Sequence, residues 1–444
     1  MGDKRKRELS VMKKYLKNLK KKIKKILKKI KRMIRKTKIY RMIAKAFRII
    51  KKKIRKKYMG IMAKIIMKKS EIEPNKIAIA TNTFSYTCNP KYIYEEMIRR
   101  RLNYKIVWLV NTRKVKKLDY PDNVRVIPLN SVKGLREVYS SKIWLDNGIV
   151  FSDYFDKKEG QLHIQTMHGS LGIKRLDNAV LCRNARGKSG QIVVQRESNE
   201  TDYVITNSKF EEDVFHTVLW KNTARVRLGH ARTDILFSTN SDRITQIREE
   251  LFHRYGIPTE KKLVLYAPTH RTGLTIENLS IDYRDMTEAL QKKFGDEFAV
   301  MIRMHKRTKN IVLDNVEEDD KLEERVLYDV TNYPDIQELM LVTTIGITDY
   351  SSWIYDYVLT RRPGFIFATD LERYNTNTGL YYPLEETPFP VCKSHEQLIH
   401  HIEAFDYEQY LNRVEEFLKE KQSVDDGESA KRIVDWIQSL VPVK

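Results

Sequence analysis

Ile347-Thr348-Asp349-Tyr350-Ser351-Ser352-Trp353-Ile354-Tyr355-Asp356-Tyr357 is the stretch that decides how this chain folds. The apolar run ending at Thr348 reads as a buried strand. Two small hydroxyls, Ser351 and Ser352, follow at once, and a helix starts behind them. A strand leading through a short polar turn into a helix is the building unit of a parallel α/β sheet. The turn also offers backbone N–H groups at a helix start, where anions and above all phosphate bind.

The same alternation extends outward on both sides. Lys76–Ala80, Tyr104–Val110, Val124–Pro128, Lys142–Leu145, Leu162–Thr166 and Tyr203–Thr206 predict strands of a first sheet, with helices from about Lys91 and Lys209. Leu263–Ala267, Ala299–Met304, the run ending at Thr348 and Gly364–Phe367 predict a second sheet. A polar surface helix over 238–258 marks the junction, so the expected division is 71–237 and 238–444, each half a Rossmann-type unit. Neither Gly-x-Gly-x-x-Gly nor Gly-x-x-x-x-Gly-Lys-Ser/Thr occurs, which argues against a dehydrogenase-type dinucleotide site and against P-loop kinases.

Charge is distributed very unevenly. Of 83 Lys and Arg, 31 lie in residues 1–70 beside two acids, Asp3 and Glu8; the remainder holds 52 bases and 56 acids. The net charge of +25 therefore belongs to the N-terminal segment, and the slightly acidic body is not expected to bind nucleic acid. Within 1–70, Met12, Leu16, Leu19, Ile23, Ile26, Ile30 and Met33 form one apolar helical face among lysines. The favoured reading is a basic amphipathic helix lying on an anionic membrane surface. A coiled coil would normally mix Glu with Lys at its flanks. A disordered or nucleic-acid-binding tail would lack the regular stripe. No run approaches 18 uncharged apolar residues, and no signal-peptide-like core is present, so neither a transmembrane helix nor a leader is expected. Three widely spaced cysteines, Cys88, Cys182 and Cys392, give no disulfide framework or zinc spacing, and a reducing compartment is the simplest reading.

Several strand ends carry residues suited to chemistry. His168 follows Leu162–Thr166 and precedes Gly169 and Ser170, with Lys174 and Arg175 near enough to meet an anion; the bland alternative is a turn histidine. Arg303 and His305, two apart, project to the same side of a strand end as a phosphate-holding guanidinium and a proton-donating imidazole; a solvated basic strand end is the alternative. Tyr266-Ala267-Pro268-Thr269-His270-Arg271 gathers hydroxyl, imidazole and guanidinium at another strand end. Asn207-Ser208 reads as a helix cap and Glu317–Asp320 as a solvated loop rather than a metal site. Asp146 is a strand-end carboxylate without an assigned role, and Cys88-Asn89-Pro90 reads as loop.

Taken together, Asn89-Pro90-Lys91-Tyr92-Ile93-Tyr94-Glu95, Met167-His168-Gly169-Ser170, Tyr266-Ala267-Pro268-Thr269, Arg303-Met304-His305, Asp329 to Asp335, and Ile347 to Asp356 with Arg362-Pro363 resemble the CDP-glycerol glycerophosphotransferases, the teichoic-acid polymerase and primase family. The resemblance covers roughly residues 75–395. Departures stand at Ser170-Leu171, where many relatives have Thr-Pro, at Lys306 after His305, and at Thr378-Gly379-Leu380-Tyr381. The resemblance implies a GT-B-like pair of Rossmann-type domains with the site in the cleft between them. It implies transfer of glycerol phosphate, or a related polyol phosphate, from CDP-glycerol or CDP-ribitol to a lipid-linked saccharide or polyol-phosphate acceptor at the cytoplasmic face of the membrane. His168 is the expected general base, and Arg303 and His305 are expected to stabilise the diphosphate and the leaving CMP. Gly169, Ser170, Lys174, Thr269, Arg271, Thr348, Asp349, Ser351 and Ser352 are expected to hold substrate. No cofactor and no protein-bound metal are expected. A glycosyltransferase using a nucleotide sugar and a non-catalytic membrane scaffold are the competing functions.

Overall fold

The computed structural model describes residues 50, 54, 57–111, 120–169, 171–172, 174–175, 188–217, 219–220, 222–269, 279, 281–304 and 325–443. Most of the basic N-terminal segment, and with it the expected stripe from Met12 to Met33, lies outside these residues; 57–69 are helical.

Apolar runs buried on both faces are the signature of parallel strands covered by helices. In the first half they form β1 (Glu73–Ile79), β2 (Lys105–Val110), β3 (Val126–Pro128), β4 (Ser141–Asp146), β5 (Leu162–Gln165), β6 (Tyr203–Thr206) and β7 (Ala224–Arg227). The sheet order is β3-β2-β1-β4-β5-β6-β7, and every pairing is parallel. The second half forms β8 (Lys262–Tyr266), β9 (Phe298–Ile302), β10 (Leu327–Asp329), β11 (Ile345–Thr348), β12 (Gly364–Phe367) and β13 (Val391–Cys392). Its order is β10-β9-β8-β11-β12-β13, again all parallel. The expected GT-B-like pair of Rossmann-type sheets is the observed architecture. Strand order reverses direction at β1/β4 in the first sheet and at β8/β11 in the second. At such switch points neighbouring crossovers diverge to opposite faces and open a crevice at the carboxyl edge.

Three strands escape a reading by apolar runs. β7 interleaves arginine with apolar residues at a sheet edge, and β10 and β13 are only three and two residues long. The Cys88-Asn89-Pro90 stretch, expected as loop, instead forms the first turn of the helix Cys88–Arg99. There Pro90 lacks an N–H that the first turn would leave unpaired anyway. Ser208 Oγ accepts the N–H of Glu211, and Glu211 accepts the N–H of Asn207, so this pair does cap the helix Lys209–Thr217. The helix after Ser352 is shorter than the sequence suggests. It runs Trp353–Tyr357, passes into a 3₁₀ turn, and ends where Arg361 turns left-handed at φ 58° so that the chain can enter β12.

Residues 69–444 pack as one unit, and the chain crosses between its two sheets more than once. The C-terminal helix Ser429–Leu440 returns to the first half, where Ile433, Val434 and Ile437 join the core of Ile77, Ile93, Met97 and Trp108. Leu171, just beyond His168, is buried in the core of the second half, and its carbonyl accepts Tyr382 Oη at 2.9 Å. Buried ionic contacts of Lys91 and Arg232 join the halves. Lys91 Nζ lies 2.8 Å from Asp335 and 3.0 Å from Glu338, and Arg232 forks onto Asp356. Burial disfavours the Lys91 cation, but the two carboxylates outweigh that and raise its pKa.

Candidate active site

A cavity of about 670 Å³ opens where the carboxyl edges of the two sheets face each other. Its walls carry Asn82 and Asn147 from the first switch point and Ser351 and Ser352 from the second, with His168 on one side and Arg303 on the other. Segments some 135 residues apart in sequence thus meet because both sheets present this edge to the same space.

His168, in the loop after β5, is fixed by the neighbouring turn after β4. The ring Nδ1 lies 2.6 Å from the Asn147 carbonyl. A carbonyl can only accept, so Nδ1 carries the proton and Nε2 keeps its lone pair. No partner for Nε2 is found among the described residues, and the ring edge is open to the cavity. The ring itself is exposed in the open cleft, but the protein packed around it disfavours the charged form, and Arg232 and Lys174 add positive potential. Together these outweigh the Asn147 hydrogen bond and hold the pKa below the ordinary histidine value. Met167 precedes it at φ 52°, a left-handed conformation that costs a residue with a Cβ on the order of 1 kcal/mol or more. Asn89 Nδ2 donates to the carbonyls of Thr166 and Met167 at 2.8 and 3.1 Å and so steadies the turn.

Arg303 leaves β9 with its N–H on the Tyr266 carbonyl at 2.9 Å, and Nη1 donates to the Tyr333 carbonyl at 2.6 Å. No carboxylate among the described residues pairs with it, and burial pulls its pKa down. A guanidinium held by a single carbonyl keeps donors for an incoming anion. Ser351 and Ser352 face the same space, and Ser352 makes no capping bond with its side chain. Five helical residues give little macrodipole, so Arg303 and Lys174 supply more of the positive potential than the helix terminus does.

The remaining predicted residues divide. Gly169 and Lys174 line the cavity. Thr348 and Asp349 are buried behind it: Thr348 Oγ1 donates to the Ala267 carbonyl at 2.9 Å, and Asp349 Oδ1 accepts the N–H groups of Thr269 and Tyr350 at 2.7 and 2.5 Å. These bonds tie the β8 and β11 turns together, and Thr269 takes part in that tie through its backbone N–H rather than lining the cavity. Ser170, His270, Arg271 and His305 lie outside the described residues, as does the acidic run 317–320.

One residue at the centre was not singled out from sequence. Arg232, in the polar turn after β7, lies 2.7 and 3.0 Å from the two oxygens of Asp356 and donates to the Gly169 carbonyl at 2.7 Å. Burial opposes its charge, and Asp356 more than restores it. The pairing of Asp356 with an arginine was the available signal, but nothing in the order of residues says which arginine it meets.

The profile of the CDP-glycerol:poly(glycerophosphate) glycerophosphotransferases matches residues 61–439. The teichoic acid poly(glycerol phosphate) polymerase of Staphylococcus epidermidis is 29% identical over 385 residues, covering 83% of this chain and 51% of that protein. The polymerase of the same description from Bacillus spizizenii is 28% identical over 365 residues, covering 79% and 88%. The chain thus spans about half the length of the first of these relatives and most of the second. Among solved structures, the wall teichoic acid polymerase TagF superposes with a TM-score of 0.74 at 25% identity over 90% of this chain and 97% of that one. A histidine variant of TagF soaked with CDPG gives the same TM-score at 26% identity over 90% and 98%. With a profile match across most of its length and this cleft between two parallel sheets, the chain belongs to the CDP-glycerol:poly(glycerophosphate) glycerophosphotransferase family.

Proposed function

We propose that the chain transfers glycerol phosphate from CDP-glycerol to a lipid-linked acceptor of teichoic-acid or related cell-surface polymer synthesis, releasing CMP. The observation that carries this reading is the pairing, across one cavity, of a histidine whose Nε2 is an available base with an arginine that has no carboxylate partner among the described residues. The acceptor hydroxyl enters from the first half, residues 71–237, and loses its proton to His168 Nε2. Its oxygen attacks the β-phosphorus in line, the bond to the bridging oxygen breaks, and CMP departs. Arg303 neutralises charge building on the diphosphate from the second half, residues 238–444, with Ser351, Ser352 and Lys174 around it. The sequence assigns His305 to the same role on the leaving group. The basic segment 1–70 holds the enzyme on an anionic membrane surface beside its acceptor.

CMP release from CDP-glycerol with a prenyl-diphosphate-linked acceptor, followed by mass spectrometry of the product, tests the reading. His168→Ala and Arg303→Ala are each expected to cut turnover by at least about a hundredfold. Turnover within about tenfold of wild type in both would overturn it. CDP-ribitol in place of CDP-glycerol identifies the polyol.

A further inference from the structure

Behind His168 lies a buried polar cluster with no part in the proposed chemistry. Asp146, His163, Gln165 and Glu197 are all fully buried. His163 Nε2 lies 3.3 Å from Asp146 Oδ1, and burial, which disfavours its charge, is outweighed by Asp146 and Glu197, so its pKa is raised. Asp146, His163 and Glu197 stand close enough to share a metal ion. The Gln165 amide nitrogen, however, lies 2.8 Å from Asp146 Oδ1 and 2.9 Å from Glu197 Oε1, so an N–H donor already serves the carboxylates. The parallel register sets Gln165 directly beside Asp146.

The same amide reaches both pieces of chain that the His168–Asn147 hydrogen bond joins. Gln165 Nε2 lies 2.9 Å from the Gly148 carbonyl, and Oε1 accepts the N–H of Met167, the left-handed residue, at 2.9 Å. Asp146 completes the turn, taking the N–H groups of Val150 and Phe151 on Oδ2 and the N–H and Oγ1 of Thr166 on its carbonyl. A side-chain amide donates and accepts at once in this way; an ionised Glu cannot donate, and Met has no donor and only a weakly accepting sulfur.

We propose that Gln165 is a positioning residue for His168: its amide clamps the 146–148 turn to Met167, so that the Asn147 carbonyl takes the Nδ1 proton and Nε2 faces the cavity. The kinetic consequence rests on His168 acting as the base; the geometric one does not. Around the ring, Arg232 and Lys174 lower its pKa and Asp146 raises it, while the protein packed around it, which disfavours the charged form, is the largest influence. A loosened turn takes the ring out of these surroundings, and the pKa moves back up towards the ordinary histidine value.

The test uses the full chain carrying Gln165→Met, compared with Gln161→Met. Gln161 is a matched control: its amide donates to the Val138 and Ser141 carbonyls and accepts the Lys158 N–H, all away from the His168 turn. With ¹⁵N-labelled histidine, His168 in wild type and in Gln161→Met is expected to show a single Nδ1–H tautomer, and in Gln165→Met a mixture. Gln165→Met is also expected to lower kcat at least about tenfold with KM for CDP-glycerol changed less than about threefold, and to shift the acid limb of kcat/KM upward. Should Gln165→Met fail to fold, Thr166→Val, which removes one bond to the Asp146 carbonyl, is expected to move tautomer and acid limb the same way by less. An unmoved tautomer and acid limb in the folded variant, or equal losses in Gln161→Met, overturns the proposal. Full turnover in His168→Ala would instead overturn the function while leaving the tautomer result standing.

Discussion

Arg232→Met removes the guanidinium that joins the two halves in the wall of the site. Both side chains of its pair with Asp356 are almost inaccessible, at 1% and 4% exposure, and the fork makes bonds of 2.7 and 3.0 Å. The variant strands Asp356 as a buried carboxylate without a partner. Breaking a buried pair this way costs about 3–5 kcal/mol. The Gly169 carbonyl also loses its donor, worth roughly another 1 kcal/mol if water does not replace it. Urea unfolding followed by tryptophan fluorescence should show the midpoint falling, equivalent to a loss of about 3–5 kcal/mol. Adding Asp356→Leu removes the stranded charge, and an apolar pair of similar volume should return stability to within about 1–2 kcal/mol of wild type. Turnover should not return with it, because the loop from His168 to Leu171 remains untethered at Gly169. A loss below about 1 kcal/mol in the single variant would refute the energetic argument. Recovery of both stability and CMP release in the double variant would refute the positioning role of Arg232.

Activity should require neutral His168 and fall with pH through a midpoint below 6.5, since the protein packed around the ring, with Arg232 and Lys174, lowers this pKa; a kcat/KM profile measures it. The same depressed pKa means that the unfolded chain takes up this proton first, so the ring's contribution to stability is complete above 6.5 and drains away as pH falls towards the folded value. Gly346→Ala places a Cβ 2.8 Å from the Tyr357 ring, so a loss of roughly 1–3 kcal/mol is expected in urea titration, and an unchanged midpoint would mean the ring moves freely. Deletion of residues 1–70 should abolish co-sedimentation with anionic vesicles and leave unfolding of the body unchanged; binding by the full chain should weaken in high salt.

The strands were legible because parallel strands covered on both faces are written as unbroken apolar runs, as in Lys105–Val110 and Phe298–Ile302. The turns that face the cavity were legible for a related reason. Polar residues directly after such a run, as at His168, Arg303 and Ser351, fall at the carboxyl edge, where side chains are freed from packing. What the order of residues did not disclose was partnership. Lys91 finds Asp335 across 244 positions, and Arg232 finds Asp356 across 124. Thr348 and Asp349 read like ligand contacts, yet they turn inward to tie β8 to β11. Gln165 reads as one more strand residue until the register sets it beside Asp146.

Local sequence thus determined where the strands run, which edge carries polar groups, and the charge imbalance between residues 1–70 and the body. Tertiary structure decided which polar groups face the cavity and which hold each other. Strand formation follows from apolar burial and backbone pairing within a few residues, whereas a buried charge or amide is settled only by whichever distant group the packed chain brings within about 3 Å.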